Sequence, residues 1–445
     1  MGDSPVAPFP QWLLREVERY VAIDEPQKGA SGSLSFRSSK SDAMETEELR
    51  ALFKASPARD VASAERDGIR TLVAYARSGT IEQKEKAAAA LQDLTATSGD
   101  NDDAIIRAGG IAPLIALARR GTDEQKANAA GALKNLTVDD DNKVAVAREG
   151  GIAALVALAR SGTDEHKRNA AGALQNLAAN NAANKVAIAR EGGIAPLIAL
   201  ARSGTHEQKE HAAAALKNLA VNDDNEVAIV REGGIAPLVA LVSGGTEAQK
   251  RIAAGALQSL AVRAENKVAI ARVEGGIAPL VALVRGGTAE QKENAAGALR
   301  NLAANNAENQ AAIAREGGIK PLIALVRSGP DAHKAVAADA LAHLSINSAN
   351  QVTIAREGGI APLFALAHGA ATAEQREYAA DALWNLSLND ENEVAIAREK
   401  GEIAPLVALV DFGNLRQQVT ATTLTRTLLE PPRGAGRRTL DPASL

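Results

Sequence analysis

Amide side chains recur along the sequence at a nearly constant spacing, and their chemistry suits recognition of a polypeptide backbone. One such position holds Asn135, Asn176, Asn218, Asn301 and Asn385. A primary amide can donate a hydrogen bond to a peptide carbonyl and accept one from a peptide N–H. A ladder of these amides therefore predicts a site that holds an extended backbone without reading its side chains. The alternative is that asparagine is merely tolerated at an exposed helix position and was copied by duplication.

A second group of candidate binding residues combines charge with aromatic rings near the C-terminal end of the repeated region. Aromatic residues make up only 2% of the chain, so their clustering here is unusual. They are also enriched at binding hot spots, and a pair of carboxylates can flank one cationic side chain. The group predicts a subsite for a Lys- or Arg-bearing segment, although drift towards a terminal cap would give the same pattern. Its members are Asp339, His343, Tyr378, Asp381, Trp384 and Asn385.

Residue combinations that carry catalysis or metal binding are missing from the sequence. There is no nucleophile elbow, P-loop or zinc-protease motif, no cysteine, and the six histidines are scattered. We therefore predict a protein that is not an enzyme and has no cofactor, metal or small-molecule substrate. A net charge of −4 argues against a nucleic-acid partner. The absence of an apolar run of about 18 residues argues against a membrane span, and without cysteine no palmitoyl anchor is possible.

The elements that position these residues follow from an internal repeat. Its phrase, written from Glu274, is EGGIAPLVALVRGGTAEQKENAAGALRNLAANNAENQAAIAR. The isoleucine after the glycines recurs at intervals of 41 to 43 residues, at Ile69, Ile111, Ile152, Ile194, Ile235, Ile277, Ile319, Ile360 and Ile403. A period of this length indicates a helical repeat fold, in which each unit packs on its neighbours.

Each period divides into three predicted helices. The first begins at an asparagine expected to be its N-cap and ends at Gly-Gly, where glycine tolerates a left-handed backbone. The second has proline in its first turn, where no hydrogen bond is lost. The third begins with a threonine and, three residues later, a glutamine, the pattern of a capping box. The expected N-caps are Asn142, Asn184, Asn225, Asn266, Asn309, Asn350 and Asn392, and the expected boxes begin at Thr122, Thr205, Thr288 and Thr372.

The words GGIAPLIALARSGT and EQKxNAAGALxNLA resemble those of the armadillo repeat family. They are most similar to the armadillo segments of plant U-box proteins, the fungal vacuolar armadillo protein and β-catenin relatives. The resemblance implies an all-α, right-handed solenoid of about nine three-helix repeats, with the third helices lining a concave groove. It also implies that the recurring asparagines, together with His343, hold a partner's backbone there. The tryptophans and the Arg-rich arm of importin-α-like proteins are not present.

The chain is thus expected to have three regions. Residues 1–56 are mostly disordered with one possible helix at 11–23, residues 57–430 form the solenoid, and residues 431–445 form a disordered tail. We predict a scaffold or adaptor of the cytoplasm or nucleus that binds extended segments of other proteins. The alternatives are an accessory substrate-recognition subunit of a ubiquitin ligase and a nuclear transport adaptor.

Overall fold

A computed structural model describes residues 61–369 and 372–398, and all regular elements within these ranges are α-helices, 24 in number. The repeat pattern therefore predicted the fold class correctly. The possible helix at 11–23, the part of the ninth repeat after Arg398 and the tail at 431–445 lie outside the described residues. We number each repeat by its third helix, so that repeat 1 ends with the first of these helices.

The helices follow the predicted order of first, second and third in each repeat. The chain enters through α1 (Val61–Ser78). The third helices are α2 (Ile81–Thr97), α5 (Asp123–Leu136), α8 (Asp164–Ala178), α11 (His206–Leu219), α14 (Glu247–Leu260), α17 (Ala289–Ala303), α20 (Asp331–Leu344) and α23 (Ala373–Ser387).

The first and second helices are shorter than the third helices. The first helices are α3 (Gly99–Arg107), α6 (Asp140–Arg148), α9 (Ala182–Arg190), α12 (Asp223–Arg231), α15 (Ala264–Arg272), α18 (Ala307–Arg315), α21 (Ser348–Arg356) and α24 (Asp390–Arg398). The second helices are α4 (Ile111–Arg120), α7 (Gly151–Ser161), α10 (Ile194–Ser203), α13 (Ile235–Gly244), α16 (Ala278–Gly286), α19 (Ile319–Ser328) and α22 (Ile360–His368).

The described residues divide into two compact units on either side of a boundary inside α5, one ending at Ala132 and the other beginning at Leu133. Each unit is described by itself below. The surface of interest belongs to the second unit, whose described part is residues 133–369 and 372–398.

In the described part of the chain no single helix has the length and hydrophobicity of a membrane span. The helices α12 and α13 meet those criteria only as a pair, bent by 81°.

Small aliphatic side chains fill the core, as the pattern of the third helix predicts. In α8 the buried face consists of alanines and leucines that are fully shielded from solvent: Ala170, Ala171, Ala173, Leu174 and Leu177. These positions recur two before, one after, and three, five and six before each amide position. They fall on one side of a helix with 3.6 residues per turn, so the opposite side carries the candidate binding residues.

The predicted glycine turns and capping boxes are confirmed. The first glycine of each pair has a left-handed backbone, for example Gly150 with φ of 82° and Gly317 with φ of 73°. The predicted third helices begin with reciprocal boxes, as between Thr205 and Gln208 and between Thr288 and Gln291, whereas α20 follows Pro330 and has no side-chain cap. The boxes at Thr122 and Thr372 are formed in the same way. The helix boundaries therefore rest on local hydrogen bonds as well as on packing.

The predicted N-caps of the first helices are wrong by one turn. The caps lie three residues earlier, at Asp139, Asn181, Asn222, Asn306 and Asn347, whose side chains accept backbone hydrogen bonds. The asparagines expected to cap the helices are instead their third residues, and they are buried. They are Asn142, Asn184, Asn225, Asn266, Asn309, Asn350 and Asn392. Their burial means that they serve packing between repeats, as described below.

Candidate partner-binding surface of the third helices

The position of the recurring asparagine forms a line of half-buried side chains across successive third helices. We call it the third-helix amide row. In the second unit it consists of Asn135, Asn176, Asn218, Ser259, Asn301, His343 and Asn385, and in the first unit the same position holds Asp93. Half burial suits a recognition role, because one side of each amide is fixed by the protein while the other remains accessible to a partner.

Each of four amides in this row donates a hydrogen bond to the preceding repeat. The acceptor is always the backbone carbonyl immediately before the preceding row residue. The pairs are Asn176 Nδ2 to Lys134 O (3.0 Å), Asn218 Nδ2 to Gln175 O (3.1 Å), Asn301 Nδ2 to Gln258 O (2.8 Å) and Asn385 Nδ2 to Ala342 O (3.0 Å). The bonds fix the orientation of each amide, and the assignment of O and N follows from them.

In the described part of the second unit, the amide oxygens of the row, unlike its amide nitrogens, are mostly not engaged in hydrogen bonds within the protein. Within residues 133–369 and 372–398, the Oδ1 atoms of Asn176, Asn218 and Asn385 accept no hydrogen bond, whereas Oδ1 of Asn301 accepts one from Arg300 Nε at 3.1 Å. An oriented amide oxygen can accept a bond from the N–H of a polypeptide lying across the row. Asn176, Asn218 and Asn385 thus supply spaced, oriented acceptors, while at least one amide hydrogen of each is engaged within the protein.

Glycines four residues before the row allow long side chains of the preceding repeat to lie flat. A Cβ built on Gly172 would lie 2.7 Å from Lys134 Cδ, and one built on Gly297 would lie 2.6 Å from Gln258 Cδ. These glycines are buried, although helical periodicity places their column on the side of the third helix that faces away from the core. The close approach is made by side chains of the preceding third helix, which explains why importin-like tryptophans have no room here.

The predicted acidic and aromatic group is brought together around an arginine. Arg300 Nη1 lies 3.7 Å from Asp339 Oδ2, and His343 Nε2 lies 3.4 Å from Asp339 Oδ1. Burial lowers the pKa of His343, while the negative charge of Asp339 opposes that change. Burial, and then the charge of Asp339, raise the pKa of Tyr378. Asp339 thus already has a cationic neighbour, and a basic partner segment would have to share it with Arg300.

The remaining predicted members of this group lie on α23. Asp381, Trp384 and Asn385 are half-buried, and the charge of Asp381 acts on His343. Asn385 donates a second hydrogen bond to Ser345 Oγ at 3.1 Å, so its amide is held firmly. Among the described residues no group of three or more His, Asp or Glu side chains could hold a metal ion.

A second row of amides, which sequence reasoning misplaced as N-caps, joins the first helices. Asn225 Nδ2 donates to Lys185 O at 3.0 Å, and Asn350 Nδ2 donates to Gln310 O at 3.1 Å. The glutamines of the capping boxes form a further link between repeats, from one third helix to the preceding one. An example is the hydrogen bond from Gln208 Nε2 to Asp164 O at 2.8 Å. We call the buried asparagines the first-helix amide row. The preceding asparagine or aspartate three residues earlier was the signal that could have identified it.

A pH effect follows from His211, which lies seven residues before the row. Burial, and then the charge of Lys134, lower the pKa of His211, against the opposing effects of Glu210 and Glu207. The folded chain therefore resists protonation that the unfolded chain accepts below about pH 6.5. We expect the free energy of unfolding to decrease as the pH falls through this value. The variant His211→Asn introduces the residue that the preceding repeat has at the same position, Asn169. It should remove part of that decrease in the free energy of unfolding.

Denaturant unfolding near pH 7.5 and near pH 5.5 measures this difference. The two chains share every other titrating group, including His343, so the comparison isolates His211. An equal loss of stability in the variant and the wild-type chain would contradict the assignment.

The armadillo/beta-catenin-like repeat model matches residues 139–179, 181–221, 263–304 and 306–346. An engineered protein of known structure is 31% identical over 53% of this chain and 96% of its own, with a TM-score of 0.50. The chain belongs to the armadillo repeat family. No curated protein sequence matches this armadillo chain.

Two further structures resemble this armadillo protein in fold. One, described in terms of a phosphorylation switch in the interaction between cadherin and beta-catenin, is 17% identical over 89% of this chain and 81% of its own, with a TM-score of 0.76. The other is a computationally designed armadillo repeat protein for modular peptide recognition. It is 24% identical over 52% of this chain and 99% of its own, with a TM-score of 0.50. At these identities the likeness shows the fold alone.

Proposed function

We propose that this armadillo protein acts by binding rather than catalysis, as a scaffold or adaptor that holds an extended segment of a partner protein across its third helices. The observation that carries the proposal is the third-helix amide row with its oriented acceptor oxygens. Two of the structures with this fold are described by an interaction with cadherin and by recognition of peptides. Both descriptions fit a surface built to hold polypeptide.

The geometry favours an extended segment over a folded domain. Packed helix axes are about 8–10 Å apart, and two residues of extended chain span about 6.6–7 Å. An extended backbone can therefore present one N–H to each of several successive repeats, with side chains absorbing the remaining mismatch. Because the amides are fixed by the bonds to the preceding helix, little rotamer entropy is lost when a partner binds.

The finer division of the surface is also part of the proposal. The amides of repeats 2 to 4, namely Asn135, Asn176 and Asn218, form one uncharged stretch, and Ser259 separates it from Asn301 onward. The stretch around Asp339 and Asp381 would accept a cation beside Arg300. The segment would thus meet two chemically different parts of the same surface.

Selection of random peptides displayed against the full chain tests the proposed function. We expect enriched peptides whose affinity falls about tenfold or more in the double variant Asn176→Ala with Asn218→Ala, since each lost hydrogen bond contributes about 1 kcal/mol. Fluorescence anisotropy of labelled peptides measures the change. The partner itself can then be sought by affinity capture from the native cell.

The substitutions in the row also remove bonds between repeats, so they need a control that does the same. The double variant Asn184→Ala with Asn225→Ala removes two such bonds from the buried first-helix amide row, to Lys143 O and Lys185 O. Both double variants should be less stable, but only the row variant should lose peptide. Failure to enrich any peptide, or equal losses of affinity in the two variants, would refute the function.

A further inference from the structure

A line of exposed aliphatic side chains runs beside the third-helix amide row. Each of them lies three residues after the amide-row position of its own repeat. We call it the aliphatic row. Its large members are exposed by between 54% and 71%, and they are Val138, Val221, Val262, Ile346 and Leu388. The other two repeats of the second unit carry Ala179 and Ala304 at this position. All seven described positions of the second unit are thus aliphatic.

The composition of this row is not explained by folding or by duplication. Side chains so exposed contribute little to the core, and a single exposed valine would need no explanation. Five of them at the same position in seven successive repeats do, because large apolar patches mark interaction sites. Copying of one ancestral repeat would preserve the residue itself. Here the residue changes between valine, isoleucine, leucine and alanine while the apolar character is retained.

Charge alternates from one repeat to the next in the loops that follow the aliphatic row. Exposed carboxylates follow it in the even-numbered repeats: Asp139, Asp140, Asp141, Asp223, Asp224 and Glu308, with a further pair at the start of α24. Of the three in repeat 2, Asp140 is paired with Lys143, which leaves Asp139 and Asp141. Repeats 3 and 7 carry no charge in these loops, and in repeat 5 Arg263 offsets Glu265 at 3.9 Å. The loops that follow the aliphatic row are therefore acidic in every second repeat.

We propose that the aliphatic row and its alternating carboxylates define the partner of the third-helix surface: an extended protein segment that directs aliphatic and cationic side chains in turn to this edge. The inference rests on the proposed function, because the amide row must hold the backbone. In an extended chain every second side chain points to the same side. With about two residues per repeat, one side chain meets each member of the row.

The chemistry of the two kinds of repeat explains the alternation. An aliphatic partner residue suits repeats 3, 5 and 7, where Val262 and Ile346 offer apolar surface without an unbalanced charge. A lysine or arginine suits the even repeats, because its methylene stem can cover Val138 or Val221 while its charged end reaches the carboxylates. The preferred segment thus has a cation at about every fourth residue and an aliphatic residue between successive cations.

Synthetic peptides of about sixteen residues test the pattern on the full chain. The matching probe repeats Ser-Val-Ser-Lys. A second probe has the same composition with valines and lysines in separate blocks, and a third replaces lysine by glutamate. Fluorescence anisotropy should show that the matching probe binds about tenfold or more tightly than either of the others. Its affinity should also fall with added salt.

Two sets of variants separate the aliphatic row from its carboxylates, and both leave the amide row intact. Val138→Thr, Val221→Thr and Val262→Thr keep the side-chain shape but lower affinity about tenfold. The matched control changes exposed valines of the first helices, Val144→Thr, Val186→Thr and Val227→Thr.

For the carboxylates, Asp141→Asn, Asp223→Asn and Asp224→Asn should flatten the salt dependence. Their control removes three exposed carboxylates from the opposite ends of first helices, through Glu149→Gln, Glu191→Gln and Glu232→Gln.

The outcomes distinguish this inference from the function on which it rests. Losses in the row and carboxylate variants, with none in the controls, support it. If peptides bind and depend on Asn176 and Asn218 but not on Val138, Val221 and Val262, the inference fails while the function stands. If no peptide depends on the amide row, both fail. If the chain sediments as a dimer that the threonine variant dissociates, the aliphatic row is an interface between two copies, and the inference is overturned.

Discussion

Gly276→Ala is expected to lower the free energy of unfolding by about 3 kcal/mol, because the added methyl group has no space. A Cβ on Gly276 would meet the carbonyl oxygen of Ile270, a backbone atom that cannot move away alone. The turn differs from the others: α15 is followed by an extended residue, Val273, and α16 begins one residue later than the corresponding helices. Denaturant unfolding followed by circular dichroism measures the effect.

Gly255→Ala is the matched control, since it makes the same substitution inside a helix. Its Cβ would meet Lys217 Cε at 3.0 Å, near the flexible end of a side chain that can shift. Alanine is favoured over glycine in a helix by about 0.5–1 kcal/mol, so this variant should be as stable as the wild-type chain or more stable. A loss in Gly255→Ala equal to that in Gly276→Ala would contradict the steric argument.

The helices could be predicted from the sequence because their signals are local and repeated. Leu174 and Leu177 with the alanines that precede them define one buried face, and the threonine-glutamine boxes mark where third helices begin. The first-helix caps were misplaced because two suitable residues, Asn306 and Asn309, stand one turn apart. Only the structure shows that Asn306 accepts the cap bond from Asn309 N, while Asn309 itself is buried.

The candidate surface was predictable in position but not in hydrogen bonding. Helical periodicity places Asn176 and Asn218 on the face opposite the buried leucines. The bond from Asn218 to Gln175 O depends on how one repeat lies against the next, which no pattern within a single repeat specifies. The pairing of Arg300 with Asp339 could not be predicted from the sequence for the same reason. Contacts between repeats therefore decide which part of each amide a partner can reach.

Asn309→Ala is expected to lower the free energy of unfolding by about 2–3 kcal/mol, although asparagine contributes no apolar surface. Its Nδ2 donates to Lys267 O at 3.2 Å and to Leu302 O at 3.1 Å, and the residue is buried. Leu302 lies in the last turn of α17, where carbonyls lack partners within the helix. Alanine would leave that carbonyl buried and unsatisfied, and it would also remove a bond to the preceding first helix.

The cap residue Asn306 provides the comparison within the same turn. Asn306→Ala removes one bond, from Asn309 N, at the partly exposed start of α18 and should cost about 1 kcal/mol. Denaturant unfolding of the two variants should therefore rank Asn309→Ala well below Asn306→Ala in stability. If the two are equally destabilised, asparagine at the third position acts only within its own helix. A larger loss for Asn309→Ala supports the first-helix amide row as a link between repeats, independent of the surface that binds a partner.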